Sequence, residues 1–355
     1  MAYETLPGSV QNLYAELLEQ SIQADAQEAA FGAPGGSFVQ KTIKGRTYWY
    51  LQRLEGDRKR QHYLGVESEA LLSWIDQVKA EREVQATEVI HRKRLCSMLD
   101  AGGAATLAPD VAKVLQLLAD SGVFRLGGVL VGTHALGAYA NMLGVRFEGR
   151  FLRTQDVDIA QEPSVGIALA AGDGIVDLEQ RFEESDLEFQ TVPTLDPRRP
   201  ASSYRVRGRE LRVDFLTPLY GRESTGPIHL PVLRVAAQPL RFLDYLIADP
   251  QQAVVVNGRG TLVNVPQPAR FALHKLWTSE KRPATEQTRS QKDRQQAAGL
   301  IEVLLDLRPG DLIRAWEALA GYPSPRKRIA RALRHVDPAL RRDLAEELQA
   351  PELSS

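Results

Sequence analysis

The sequence predicts a mixed α/β (α+β) protein with a small N-terminal β-meander and a helical C-terminal domain. Between residues 127 and 235, short apolar runs alternate with segments of helical periodicity, which is typical of strands and helices that share one core. Residues 36–66 alternate β-forming and polar residues around glycine turns, whereas helical periodicity dominates after residue 235. Together these three patterns predict the fold class.

The length of the chain predicts several domains. At 355 residues it exceeds what one hydrophobic core normally supports. Shifts in composition and periodicity divide it into an N-terminal helix and hinge at 1–35, a basic three-stranded meander at 36–66, a linking helix at 67–105, the α/β core at 106–235 and the mainly helical C-terminal domain at 236–355.

Periodicity and turn residues define the elements outside the core. Residues 5–30 carry apolar side chains at helical spacing and end at the flexible GAPGG segment, which predicts a helix and a hinge. A Lys-Gly pair and a Gly-Asp pair separate the three strands of the meander. After the core, an Asn-Gly turn predicts the hairpin AVVVNGRGTLVNV, and two prolines open the helix ARFALHKLWTSEKR.

Composition and charge exclude several classes of protein. The formal net charge of −1 gives no global attraction to nucleic acid or membranes, so any such binding must be local. The single cysteine, Cys96, excludes an internal disulfide framework and favours a reducing compartment. The N-terminus lacks the features of a secretion signal, and no apolar run approaches the roughly 20 residues that span a bilayer. We therefore expect a cytoplasmic protein.

The segment VLVGTHALGAYANMLGV predicts a buried strand that turns into a helix at Gly132-Thr133. A glycine turn followed by a helix start directs several backbone N–H groups to one point, a geometry suited to phosphate. Leu136 and Tyr139 recur at helical spacing, so we expect them in the core. We expect His134 to be a polar neighbour of the turn.

Three aspartates lie on two predicted strands of the core. Asp156 and Asp158, in RTQDVDIA, project to the same face of their strand, and Asp214 has a similar apolar setting in RELRVDFLTP. If the two strands are neighbours, the carboxylates converge. Each pair of charges about 4 Å apart then costs roughly 4 kcal/mol at an effective dielectric of about 20, so the cluster needs cations or protonation. Carboxylate oxygens of this kind favour Mg²⁺ or Mn²⁺.

Each of these features has a simpler interpretation when it is taken alone. An Asp-X-Asp pair on an exposed strand is usually just solvated, and many helices begin after a glycine. The order of the set favours function, because a strand, a glycine turn, a helix, an apolar-flanked acidic pair and a third strand carboxylate rarely follow one another by chance.

This ordered set resembles the nucleotidyltransferase superfamily typified by DNA polymerase beta, and especially a bacterial branch of nucleotidyltransferase-like proteins with the TQDVDIA form. The matching elements are Val131-Gly132-Thr133, Asp156-Val157-Asp158-Ile159 and Val213-Asp214-Phe215. The resemblance covers residues 127–216 and implies a polymerase-beta-like nucleotidyltransferase core. In two departures, threonine stands where serine or glycine is usual, and the spacing from glycine to aspartate is longer.

The resemblance implies a metal-dependent enzyme. Asp156 and Asp158 would hold two divalent ions, and Asp214 would complete the site of the ion that activates the attacking hydroxyl. A nucleoside triphosphate such as ATP would donate its nucleoside monophosphate, and pyrophosphate would leave. Gly132 and Thr133, with the helix start that they form, would hold the triphosphate.

Further residues are expected to bind the nucleotide. In related nucleotidyltransferases a helix after the core supplies a lysine to the triphosphate, and a Lys-Asp pair opens the next helix. Lys275 is our first choice on this basis, Lys292 the second, and Arg153 lies just before the acidic pair. Solvated helix faces with ordinary ion pairs are an equally good interpretation of each lysine.

The meander allows two interpretations. Tyr48, Trp49 and Tyr50 could stack on nucleic-acid bases, since basic residues surround them. These basic residues are Lys41, Lys44, Arg46, Arg58, Lys59 and Arg60. Alternating aromatic residues in a small sheet are, however, more often its own core.

Two functional hypotheses follow. The first is a nucleotidyltransferase that modifies a hydroxyl of RNA, of a protein or of a small molecule. Its basic and aromatic flanking segments favour RNA, as in toxin-like relatives that modify transfer RNA. The second is a catalytically silent module that binds nucleotide or nucleic acid in a regulatory or defence (toxin-antitoxin-like) system. The sequence leaves the base, the acceptor, a partner protein and the oligomeric state open.

Overall fold

The computed structural model describes residues 3–31, 36–55, 58–147, 154–193, 199–221 and 226–353. These residues form twelve α-helices and fourteen strands, which confirms the predicted mixed class of fold. No helix within the described ranges is both long and apolar enough to cross a membrane.

The strands are short, and most belong to one central sheet. In chain order they are β1 (Tyr3–Thr5), β2 (Ser37–Ile43), β3 (Arg46–Glu55), β4 (Arg58–Val66), β5 (Gly128–Val131), β6 (Val145–Phe147), β7 (Asp156–Gln161), β8 (Phe189–Thr191), β9 (Ser203–Val206), β10 (Arg212–Pro218), β11 (Ile228–Leu230), β12 (Val235–Leu240), β13 (Gln251–Val255) and β14 (Thr261–Val265).

The helices lie before, between and after these strands. In chain order they are α1 (Gly8–Phe31), α2 (Glu69–Ala101), α3 (Pro109–Asp120), α4 (Gly132–Met142), α5 (Pro163–Asp173), α6 (Leu178–Glu183), α7 (Leu243–Ile247), α8 (Pro268–Lys281), α9 (Gln287–Leu307), α10 (Pro309–Glu317), α11 (Pro323–Leu333) and α12 (Pro338–Glu347).

The N-terminal part consists of α1, an antiparallel sheet and a long helix. Strands β2, β3 and β4 pair in sequence order, and Ser68 caps the start of α2 by accepting a hydrogen bond from the amide of Leu71. The far end of α2 packs with α1 and with β13 around the buried Leu17 and Leu99. Strand β1 pairs with β6 and so ties the N-terminus to the core.

The central sheet has the order β11-β12-β10-β7-β5, with β8 and β9 attached to the side of β10. Strand β10 runs parallel to β7, whereas β5 runs antiparallel to β7. Along one edge β10 pairs first with β9 and then, beyond Asp214, with β12. Because β7 and β10 are inner strands, their alternate residues Val157, Ile159 and Val213 are fully buried.

One apolar cluster joins the sheet to the C-terminal helices. It runs from α3 through the central strands to α8, α9 and the helices that follow. The predicted core positions Leu136 and Tyr139 both lie in it, fully buried, which confirms that prediction. The sheet and the helices α8 and α9 therefore form one body, and this positions the lysines of those helices against the acidic strands.

Candidate active site

Asp158 and Asp214 lie side by side on parallel strands. In the register of β7 and β10, Asp158 pairs with Asp214, and Asp156 pairs with Arg212. On its other side Asp158 pairs with Val131, the last residue of β5. Three neighbouring strands thus bring two carboxylates and the start of α4 to one level of the sheet.

Burial and mutual repulsion change the acidity of this site. Asp214 is only 8% exposed, whereas Asp156, at the start of β7, is exposed to solvent. Burial and, second to it, the negative charge of Asp214 together raise the pKa of Asp158 to about 7, against a smaller opposing effect of Lys275. The raised pKa means that the negative charge of this site is not fully compensated by the chain.

Two side chains hold the Asp214 carboxylate. The hydroxyl of Ser203, its register partner on β9, donates to Oδ1. Arg212 lies two residues earlier on the same strand, and its Nε and its second terminal nitrogen lie 2.9 and 2.7 Å from Oδ2. The same Nε is 3.9 Å from Oδ1 of Asp156. Arg212 therefore lies between two of the three predicted metal ligands.

Gly132 connects β5 to α4 at a position where a side chain would displace the Asp158 carboxylate. Its φ of +70° lies in the left-handed region, and a β-carbon there would overlap Oδ2 of Asp158. The helix starts at this glycine without a side-chain cap, so its first backbone N–H groups, those of Thr133 and the next residues, stay available for a ligand. The predicted turn thus lies directly against the acidic pair.

Helices α8 and α9 are joined by an ion-pair network beside this site. The carboxylate of Asp293, only 3% exposed, lies 2.8 Å from Nζ of Lys275 and 2.7 Å from Nε of Arg282. Because the charge of Lys275 also lowers the pKa of Asp158, this lysine serves both the network and the acidic site. Lys275 therefore has a structural role in a buried ion pair, which differs from the solvated helix face that the alternative interpretation expected.

Lys292 differs from Lys275 in having no such partner. It makes no hydrogen bond or ion pair with any residue of the described ranges, and it is partly buried. Burial and the nearby Lys275 lower the pKa of Lys292, while the charges of Asp293 and, to a smaller extent, Asp156 oppose this effect. His134 is buried, and its burial, together with the smaller effect of the positive charge of Lys292, lowers the pKa of this histidine to about 4. Lys292 is thus a cation that has no hydrogen-bond or ion-pair partner among the described residues and that is close enough to Asp156 and to His134 of α4 to interact electrostatically with both.

The comparisons with known proteins identify the family of the chain. Residues 109–321 of the 355 match a family model described as nucleotidyltransferase. The chain is a member of this nucleotidyltransferase family. Neither the comparison with curated proteins nor that with solved structures returned a match. The likeness of this nucleotidyltransferase to DNA polymerase beta in particular stays a prediction.

The residues of this nucleotidyltransferase fit a divalent cation in their chemistry. Among the described residues, no three potential metal ligands already meet in a coordinating arrangement. The guanidinium of Arg212 lies beside two of these carboxylates, those of Asp156 and Asp214. Asp158 and Asp214 present hard oxygen ligands of the kind that a divalent cation prefers, and Asp156 shares its face of β7 with Asp158.

The nucleotidyltransferase site contains residues that the sequence argument had missed. Arg212 was detectable, because a residue two positions before Asp214 must share its face of the strand. Ser203 gave no signal, since its place beside Asp214 depends on the pairing of β9 with β10. The predicted nucleotide ligand Arg153 lies outside the described residues.

Proposed function

We propose that this nucleotidyltransferase moves a nucleoside monophosphate from a nucleoside triphosphate such as ATP to a hydroxyl acceptor, with Mg²⁺ or Mn²⁺. The observation that carries the proposal is the pairing of Asp158 with Asp214 directly beside the glycine turn of α4. Cations bound by these two carboxylates would lie next to the backbone N–H groups at the start of α4, where phosphate oxygens would bind.

The chain's own groups have distinct roles in the proposal. The amides of Thr133 and the next residues would bind phosphate oxygens at the start of α4. Lys292 would add a point charge to the triphosphate, because it has no partner among the described residues. Lys275 would do so in part, since Asp293 already holds it. Arg153 stays a predicted fourth contact.

The acidic residues would bind the metal. Asp156, Asp158 and Asp214 are the proposed ligands and the proposed catalytic residues. A divalent ion supplies charge neutralisation at the α-phosphate and activates the attacking hydroxyl. Ser203 would orient the Asp214 carboxylate through its hydrogen bond, whereas Arg212, which also contacts this carboxylate, would compete with the metal for it.

RNA, including transfer RNA, is the proposed acceptor. The support is the basic character of residues 36–66, which carry seven Lys and Arg residues and two acidic ones while the whole chain carries a net charge of −1. A protein or small-molecule hydroxyl is disfavoured, since neither would need this concentration of positive charge.

One observation favours a second function. Arg212 already neutralises Asp214 from within the chain, so the fold does not need a metal to tolerate that carboxylate. A silent nucleotide-binding module, of the kind used in regulatory or toxin-antitoxin-like systems, would keep such a pair permanently. We rank it second because Asp158 has no comparable ion-pair partner within the described part of the chain and would be a costly residue in a module without a metal.

The test is transfer of label. The protein is incubated with each of the four α-labelled ribonucleoside triphosphates, with Mg²⁺ or Mn²⁺ and with separate RNA and protein fractions of a bacterial extract. We expect label on RNA with one nucleotide, none when EDTA replaces the metal, and unchanged transfer by the control variant Asp186→Asn, which alters an exposed carboxylate. Nucleotide binding without transfer to any fraction would favour the silent module.

A further inference from the structure

The small N-terminal sheet has two unlike faces. One face lies against α2, where the ring of Phe38 is 5.8 Å from that of Trp74 and Leu51 is buried. Trp49 belongs to this face, because its Nε1 donates to Glu67 and its ring lies 5.9 Å from Nζ of Lys79. This face is therefore a core shared with α2, and Trp49 is not free to stack on a ligand.

The opposite face carries three tyrosines and no covering helix among the described elements. Tyr50 pairs with Tyr63 across β3 and β4, with ring centroids 5.5 Å apart, and Tyr48 lies 6.3 Å from Tyr63. Tyr63 is 57% exposed. Nζ of Lys41 lies 4.9 Å from the Tyr50 ring. We call these three tyrosines and Lys41 the tyrosine face.

Positive charge surrounds the tyrosine face. Arg46 lies two residues before Tyr48 on β3, and Lys59 lies four residues before Tyr63 on β4, so strand alternation puts both on this side. Lys44 lies in the turn between β2 and β3. Lys44, Arg46 and Lys59 form no ion pair within the described ranges, and all three are exposed.

This combination fits a single-stranded nucleic acid. Exposed aromatic rings on a sheet stack with unpaired bases, and cations beside them contact the phosphates that link those bases. A second protein surface would be a poorer partner, because three or more unpaired cations would need matching acids at the rim. A duplex would leave the tyrosines without bases to stack on, since its bases are already stacked on one another.

We propose that the tyrosine face binds single-stranded RNA and thereby holds the acceptor strand for this nucleotidyltransferase. The choice of RNA rests on the proposed function, whereas the stacking and charge contacts rest on the sheet itself. The inference assigns Tyr63, which the sequence argument did not include, and it removes Trp49 from the binding surface.

Direct binding of RNA tests the inference without any catalysis. The probe is a fluorescent, unstructured single-stranded RNA of about 15 nucleotides, titrated with the full-length protein and followed by anisotropy. We expect Tyr63→Ala to weaken binding roughly 5- to 150-fold, which is the range seen when alanine replaces an aromatic side chain on which one base stacks. Tyr63→Phe should bind like the wild type, because it keeps the ring.

A charge variant tests the second half of the argument. Replacing Lys44, Arg46 and Lys59 together by Gln should reduce the slope of log affinity against log salt by about 2, because each lost phosphate contact removes about 0.7. The matched control replaces Lys93, Arg94 and Lys113 by Gln, which makes the same change of charge at exposed helical positions away from the sheet. We expect the control to keep the wild-type slope.

The outcomes separate this inference from the proposed function. Wild-type affinity and slope in both meander variants would overturn the inference, and so would an equal effect of the control triple or tighter binding to duplex DNA than to single-stranded RNA. If the wild type labels RNA while the meander variants bind it normally, only this inference fails. If Tyr63→Ala weakens RNA binding but the wild type transfers no nucleotide, only the proposed activity fails.

Discussion

Asp158 and Asp214 are register partners on parallel strands, and the charge of Asp214 raises the pKa of Asp158. A fold that places two carboxylates at one level of a sheet lowers its own stability unless a cation or a proton compensates. The chain supplies Arg212 to Asp214, whereas Asp158 has no equivalent ion-pair partner among the residues that the structure describes. This unequal compensation leads to the first two predictions.

Replacing Asp158 by Asn should stabilise the metal-free protein in a pH-dependent way. The folded-state pKa of about 7 lies above the ordinary value of 3.8, so ionisation opposes folding. The wild type therefore loses stability as the pH rises between these values, and the Asn variant does not. In EDTA we expect the variant to gain about 2–4 kcal/mol at about pH 8, and almost nothing at about pH 4, in denaturant unfolding. A gain that is equal at both pH values would contradict the account.

Replacing Arg212 by Gln should make divalent cations bind more tightly. The variant removes the guanidinium that lies between Asp156 and Asp214, so a metal no longer competes with it. We expect the concentration of Mg²⁺ or Mn²⁺ that gives half of the maximal increase in melting temperature to fall about 10- to 100-fold. This change in affinity corresponds to the free energy of one charge-assisted hydrogen bond. The control is Arg205→Gln, an exposed arginine on the neighbouring strand β9. Equal metal dependence in both variants would exclude competition by Arg212.

Replacing Gly132 by Ala should disturb both the fold and the site. Alanine at a φ of +70° costs roughly 1–2 kcal/mol, and its β-carbon would displace the Asp158 carboxylate. We expect lower stability in denaturant unfolding and a loss of nucleotide binding. Gly137→Ala is the control on the same helix, because its β-carbon would meet only Leu107 at an ordinary 3.6 Å. If both variants keep binding, the turn is not part of the site.

Lys275 and Lys292 should respond differently to replacement by Met. Lys275→Met breaks a buried ion pair with Asp293, which should cost about 3 kcal/mol in denaturant unfolding. Lys292→Met removes a cation with no partner in the described ranges, so stability should change by less than about 0.5 kcal/mol while nucleotide affinity falls. A large loss of stability in Lys292→Met would mean that this lysine is structural instead.

Local patterns predicted the centre of the site. The apolar run before Gly132 and the alternation around Asp158 and Asp214 are properties of short segments, so the sequence contains them directly. The neighbouring position of the two acidic strands was a condition of the argument, and the register of β7 and β10 now supplies it.

Pairings between distant segments were not predictable in this way. Strand β1 is three residues long and exists because β6 pairs with it, and Ser203 reaches Asp214 only through the order of the sheet. The aromatic residues of the meander are a second example of a feature that the sequence predicted only in part. Alternation separates Trp49 from Tyr48 and Tyr50, but only the packing of α2 decides which face is covered. The bounds of the five predicted domains and the cytoplasmic location stay predictions, because they rest on composition and periodicity.

The most direct test of the central claim compares transfer with binding in Asp214→Asn. Asn keeps the shape of the side chain but loses the charge that would bind the metal, whereas the start of α4 and Lys292 would still bind the triphosphate under the proposal. Transfer of α-labelled nucleotide to RNA is measured beside the affinity for the same nucleotide, with Asp186→Asn as the control. The account predicts that transfer falls by about 100-fold or more while nucleotide affinity changes by less than about tenfold. Undiminished transfer by a folded Asp214→Asn variant would contradict it.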